Sequence, residues 1–231
     1  MDYRDRQVVV TGGTGALGTA VVGALIEAGA ACHVPFRSAA EGERFPFRAH
    51  ARVTMHPDFE AADEAAVKRL YGGLPRLWAS IHVAGGFVWR PVGETGQSDL
   101  MRQIETNLVS AYLCSRAAVK AMGENGGRIV NVSARFGLEW RLAANLTAYA
   151  ASKAAVAAFT VALSEEVAKH GILVNAVAPS IMDTPANRKD MPKADFAAWP
   201  KVEEVAATIL FLASPANKVT RGAVVPVYGR S

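Results

Sequence analysis

The chain carries 2 cysteines in 231 residues, too few for a disulfide framework. Cys32 and Cys114 both lie in apolar stretches, which points to buried, reduced thiols and a reducing compartment such as the cytoplasm. There is no run of basic residues. The 25 lysines and arginines against 21 aspartates and glutamates leave a scattered net charge of +4, which excludes a nucleic-acid surface and still suits a small anionic ligand. No long uncharged apolar run occurs either. The most apolar stretch, 150–163, is interrupted by Lys153 and is too short to span a bilayer, so no membrane partner is expected. The start of the chain, 1–6, is charged and leads straight into a strand, unlike a signal peptide. The 5 histidines show no metal-ligand spacing, and no metal is expected. What is abundant is hydrophobic sequence, 51% of the chain, enough for one globular domain with a large core.

The apolar segments alternate between strand and helix patterns. Strands are predicted at 7–11, 31–36, 52–55, 80–84, 128–133, 173–177 and 223–227. Helices are predicted at 16–28, 60–71, 99–122, 147–170 and 202–213. Apolar strands alternating with helices imply a parallel sheet covered on both faces. No linker interrupts the pattern, so residues 1–231 form a single α/β domain. The irregular stretches are 38–50 and 184–201, both expected near ligand, the second as a substrate-side loop.

Two stretches carry chemistry. In Tyr149-Ala150-Ala151-Ser152-Lys153, positions i and i+4 share a helical face, so the Tyr149 hydroxyl and the Lys153 ammonium can point into one space. A nearby cation favours phenolate and brings the phenol toward the range useful for acid/base catalysis. The plainer alternative is an ordinary helix with a surface lysine. At the other end, Thr11-Gly12-Gly13-Thr14-Gly15-Ala16-Leu17-Gly18 joins the first strand to the first helix. Such a turn lets backbone approach a pyrophosphate, and the helix N-terminus supplies amide donors. Its alternative is a tight turn without ligand. An acidic residue at the end of the second strand would bind the ribose 2′-hydroxyl of NAD. Phe36, Arg37 and Ser38 stand there instead, and Arg37 can pair with a 2′-phosphate. NADP(H) is therefore expected over NAD(H), against the alternative of a solvated Arg37. Asp58 either accepts from the adenine amino group or caps the helix that follows.

These motifs, with Ala84-Gly85-Gly86 after the fourth strand, Asn107 in the next helix, and Pro179 with Thr184 after the sixth, resemble the short-chain dehydrogenase/reductase family over nearly the whole chain. The resemblance implies a Rossmann-type doubly wound sheet of about seven strands and hydride transfer from a nicotinamide. It implies Tyr149 as acid/base, Lys153 on the nicotinamide ribose, Asn107 supporting a water-linked proton relay, and Thr184 at the carboxamide. Around the cofactor it places Gly12, Thr14, Gly15, Leu17, Gly18, Arg37, Ser38, Asp58, Phe59, Ala84, Gly85, Gly86, Pro179 and Met182.

The chain also departs from that pattern. The family's substrate-orienting hydroxyl after strand five falls on Ala134. Ser133 lies one place earlier, where strand alternation turns it to the other side. His82-Val83 replaces the usual pair of Asn. A second, local resemblance is to the quinonoid dihydropteridine reductases, in 183–199, in Gly15-Ala16-Leu17-Gly18 and in Val83-Ala84-Gly85-Gly86-Phe87. It implies Ala in place of the serine and an aromatic, Phe87, stacked on a flat ring. Phe87 and Trp89 either stack a substrate or pack a loop. Trp199 is expected to anchor its loop. Arg135 and Arg141 either meet an acidic substrate or are solvated.

The leading reading is a reductase of an activated C=N, C=O or quinonoid small molecule, flat and conjugated. The alternatives are an ordinary carbonyl reductase or alcohol dehydrogenase using Ser133 or Thr147, and a non-catalytic NADP(H) sensor or scaffold. The apolar helices 99–122 and 147–170 hold more apolar surface than one sheet face covers, so a homodimer or homotetramer is expected.

Overall fold

A computed structural model describes residues 1–74 and 76–231. Its single sheet has seven parallel strands in the order β3-β2-β1-β4-β5-β6-β7. They are β1 (Gln7–Thr11), β2 (Ala31–Pro35), β3 (Val53–His56), β4 (Leu77–His82), β5 (Gly127–Val132), β6 (Ile172–Pro179) and β7 (Val224–Val227). The helices are α1 (Ala16–Glu27), α2 (Ala39–Arg44), α3 (Glu64–Gly72), α4 (Gln97–Ile104), α5 (Ser110–Met122), α6 (Thr147–Glu166), α7 (Pro185–Asp190) and α8 (Val202–Ala213). No described helix is long and apolar enough to cross a membrane.

Both sheet faces are buried, which is why the strands read as continuous apolar runs. Val21 and Leu25 of α1 pack with Val205 and Ile209 of α8 against one face. Leu113 and Met122 of α5, Leu163 of α6 and Val67 of α3 cover the other with Ile129 and Val174. The chain winds outward from β1 to β3, then returns to lay β4 beside β1. That reversal opens a crevice at the carboxyl ends of β1 and β4, where such sheets bind ligands.

Several boundaries differ from expectation for local reasons. The helix predicted from 60 begins at Glu64, because Asp63 caps it, accepting from the Ala65 amide at 2.9 Å. Asp58 does not cap; it is exposed, with φ +55°. The strand predicted at 80–84 runs from Leu77 to His82 instead. Leu77 pairs with Gln7, and beyond His82 the Val83 and Ala84 amides both converge on the Thr11 carbonyl. The helix predicted at 99–122 is two α-helices joined by a π-helical turn, Glu105–Val109, a feature frequent at functional sites. The Tyr149 helix stops at Glu166, and Gly171 closes the short turn after it. Stretch 38–50 contains α2, capped by Ser38, and 184–201 contains α7, capped by Thr184.

Candidate active site

The crevice holds a cleft of about 340 Å³ lined by Thr14, Gly15, Phe36, Arg37, Ala84 and Gly85 among others. Its floor is the β1–α1 turn. Gly12 has φ +69°, and a Cβ there would lie 2.6 Å from the Ala84 amide nitrogen. A Cβ at Gly18 would overlap the Gly12 carbonyl oxygen. Side chains at these two positions would force the turn away from the Ala84 strand end and from α1, and the α1 N-terminus opens onto the cleft with no side chain capping it. These residues fit the pyrophosphate of a dinucleotide. Leu17 is buried in the core, so it offers the cradle only its main chain.

At the outer end Arg37 is exposed and pairs with Glu41, its guanidinium 3.1 Å from one carboxylate oxygen. The Arg37 amide donates to the other oxygen at 3.2 Å. Arg37 is therefore neither free nor merely solvated. Ser38 is the N-cap of α2, accepting from the Glu41 amide at 3.4 Å. Phe59 is buried and lines the cleft beside Glu60. Asp58, expected at the adenine, lies outside that lining and borders a separate hollow with His56 and Arg69. Glu41, Arg44 and Glu60, which line the cleft, were not singled out in the sequence. The i,i+4 spacing of Arg37 and Glu41 was the available signal.

At the inner end, beyond Gly85, α6 presents Tyr149 and Lys153 beside the cleft lining rather than within it. Lys153 is 5% exposed and donates to the Val132 carbonyl at 2.8 Å. Burial pushes its ammonium down to about 8. Burial also pushes the Tyr149 phenol up to about 12. This corrects the expectation of a lowered phenol: desolvation dominates, and the lysine's hydrogen bond goes to the backbone of β5. Gly85 keeps this end open, since a Cβ there would lie 2.8 Å from Asn107 Oδ1 and 3.2 Å from Lys153 Nζ.

Asn107, carried by the π-helical turn, is fully buried. Its Oδ1 accepts from the Gly86 amide at 2.8 Å, and its Nδ2 donates to the Gly86 carbonyl at 3.1 Å and to Ser152 Oγ at 3.0 Å. The side chain expected in a water-linked relay thus clamps the Ala84-Gly85-Gly86 loop to α6. Ser133 is buried and its hydroxyl donates to the Lys153 carbonyl at 2.8 Å, turned away as strand alternation requires. Ala134 is buried just beyond β5.

Phe87 is 56% exposed and meets Tyr149 edge-on, with centroids 5.0 Å apart. Trp89, further along that loop, is also exposed. Pro179 ends β6, and the Met182 carbonyl and Thr184 hydroxyl accept from Asn187, all after that strand. Trp199 is buried against Phe196 and anchors its loop. Arg135 is neither a solvated cation nor free for substrate. It pairs with Glu139, donates to the Ser231 carbonyl, and lies over the Tyr228 ring. Arg141 is exposed.

His82 proves to be a core residue. Its Nδ1 lies 2.8 Å from Asn131 Oδ1 and its Nε2 lies 2.8 Å from Ser80 Oγ. Asn131 Nδ2 in turn donates to Thr160 of α6 at 2.9 Å. That donation leaves Oδ1 as acceptor, so His82 carries its proton on Nδ1.

A doubly wound sheet with a glycine cradle at its crevice and a Tyr/Lys pair beside it is the framework of an NAD(P)-dependent oxidoreductase. Residues 6–195 match the model of the short chain dehydrogenases. The chain belongs to the short-chain dehydrogenase/reductase family. It is 36% identical to a galactitol 2-dehydrogenase of Rhizobium johnstonii, over 96% of this chain and 93% of that protein. It is 35% identical to a cis-4-hydroxycyclohexanecarboxylate dehydrogenase of Sinomonas cyclohexanicum, over 98% and 96% respectively. Among solved structures, ElxO with NADP bound superposes with a TM-score of 0.88 at 25% identity, covering 97% of each chain.

Proposed function

We propose that this oxidoreductase interconverts a secondary alcohol and its ketone, with NADP(H) favoured over NAD(H). The observation that carries the reading is the meeting of Tyr149, Lys153 and the Asn107-clamped loop at the inner end of the glycine-floored cleft. The relatives' names, a polyol and a cyclic alcohol dehydrogenase, favour alcohol and ketone substrates over the pterin class that the local sequence resemblance suggested.

A bound nicotinamide would supply the hydride for reduction or accept it in oxidation. Tyr149 is protonated at neutral pH, since burial holds its phenol at about 12, and it donates its proton to the carbonyl oxygen during reduction. Lys153 holds the ribose and keeps a positive charge near the phenol, which stabilises the phenolate left after transfer. Asn107 acts by holding Gly85 and Gly86 in place. Gly12, Thr14, Gly15, the main chain of Leu17, and Gly18 receive the pyrophosphate, Arg37 and Ser38 the ribose 2′-phosphate, and Phe59 the adenine side. Pro179, Met182 and Thr184 receive the nicotinamide, and 184–201 forms the substrate-side loop. Phe87 and Trp89 bound the substrate with an apolar wall, beside Ala134. Tyr112 and Val161, 46% and 43% exposed on α5 and α6, support a symmetric dimer or tetramer through those helices.

Ala134 favours a second reading, reduction of an activated C=N or quinonoid ring. A missing donor costs on the order of 100-fold in rate, and an electrophile that is already activated tolerates that loss best. Steady-state assays of cyclic alcohols and polyols with NADP+, and of ketones and quinonoid dihydropterin with NADPH, separate the two. Faster turnover of alcohol and ketone supports the first. Turnover of the pterin alone supports the second. Tight NADPH binding without turnover of any of them would make the protein a sensor.

A further inference from the structure

Phe36 closes the outer wall of the cleft, and its ring fixes α2 against the end of β2. A Cβ at Gly42 would lie 2.7 Å from Phe36 Cε2. Glu41 is therefore held on an element packed against the sheet. Its carboxylate takes two hydrogen bonds from one residue, one from the Arg37 guanidinium and one from the Arg37 amide. Its side chain is 23% exposed, against 65% for Arg37. Glu41 thus sits deeper than the cation it holds. Both line the cleft, as does Arg44, which is tied by its Nε to the Ala40 carbonyl at 3.0 Å.

A carboxylate in this position acts twice on a ligand phosphate. It already engages one guanidinium nitrogen, Nη2, that would otherwise be open to the phosphate, and it repels a second anion brought beside it. It does neither to a ribose hydroxyl, which it can accept from. Resting on the cofactor reading above, we propose that Glu41 is a specificity-determining residue, an internal competitor for Arg37 that holds the preference for NADP(H) to a modest level and keeps NAD(H) usable. Arg37 supplies the attraction to phosphate, and Glu41 sets how much of it the cofactor receives.

The test is fluorescence titration of NADPH and NADH into the unmodified protein, Glu41→Gln, Arg37→Ala and the double variant. Removing a like charge beside a phosphate is expected to tighten NADPH about tenfold in Glu41→Gln and to change NADH less than about twofold. In the Arg37→Ala background only the direct repulsion is left to remove, so the same change should tighten NADPH clearly less than it does with Arg37 present. Unchanged or weaker NADPH binding in Glu41→Gln, with Arg37→Ala still weakening it, overturns the inference and leaves the cofactor reading standing. If Arg37→Ala leaves NADPH affinity unaltered, the cofactor reading itself fails. Thermal melts of each variant without ligand identify loss of fold, and Glu41→Ala, which also removes the charge, must tighten NADPH in the same direction.

Discussion

At the inner end of the cleft Lys153 is buried with its ammonium on the Val132 carbonyl, whereas at the outer end Arg37 is exposed and held by a carboxylate. The two cations obey different physics. Desolvation governs the first: it pulls Lys153 down to about 8 and pushes its neighbour Tyr149 up to about 12. Pairing in water governs the second, where exposed ion pairs exchange easily and salt screens them. A buried cation is costly to place and is kept where charge changes during the reaction. An exposed, paired one is suited to choosing among ligands. On the proposed reading, chemistry belongs to one end of the cleft and cofactor selection to the other.

Substitutions at each end should break this comparison differently. Lys153→Met keeps the apolar stem and removes the ammonium. It is expected to lower turnover by about 100-fold or more, and stopped-flow or steady-state rates at saturating cofactor read that loss. Turnover near that of the unmodified enzyme would place the essential cation elsewhere. Arg37→Ala should leave turnover at saturating NADPH near normal and weaken NADPH by about tenfold, the scale of one hydrogen bond to a charged group. NADH binding should hardly move, and added salt should shrink the difference.

Between these lies the buried histidine beneath the site. Burial holds His82 neutral down to about 4, from an ordinary 6.5. The unfolded chain takes up its proton first, so stability is lost as pH falls from about 6.5 toward 4 and regained as it rises. His82→Asn should flatten that part of the curve in urea melts. His33 and His56, partly buried with their Nδ1 and Nε2 3.1 Å apart, are also held below the ordinary value by burial, and a curve of the same slope would assign the acid sensitivity to them instead. The smallest effect is expected from Ser133→Ala. It removes a hydrogen bond to the Lys153 carbonyl and should cost roughly 1 kcal/mol of stability, with turnover within about twofold. A loss comparable to that of Lys153→Met would show Ser133 taking part in the reaction.

The doubly wound sheet was legible because its strands, buried on both faces, read as apolar runs separated by helices. The glycine cradle and the Tyr149/Lys153 pair were legible because both are local, set by turn chemistry and by helical spacing. What escaped were effects of surroundings. Spacing alone cannot show that Lys153 points at the Val132 carbonyl, so the direction of the Tyr149 shift came out opposite. The linear reading offered Asp58 as the cap of the helix that follows, and backbone geometry gives that role to Asp63 instead. Glu41 lies in a stretch read as irregular, so its pairing with Arg37 went unnoticed. His82 could be placed at a strand end, but its partners Ser80, Asn131 and Ser115 come from three separate elements.

Tyr149→Phe tests the division of labour most directly, measured as turnover and NADPH dissociation constant on the same sample. The phenol hydroxyl is the proposed proton donor, and the ring's contact with Phe87 survives the change. The account predicts a fall in turnover of about 100-fold or more with the NADPH dissociation constant within about threefold of the unmodified protein. Turnover that persists in Tyr149→Phe, or NADPH binding that collapses with it, would contradict the account.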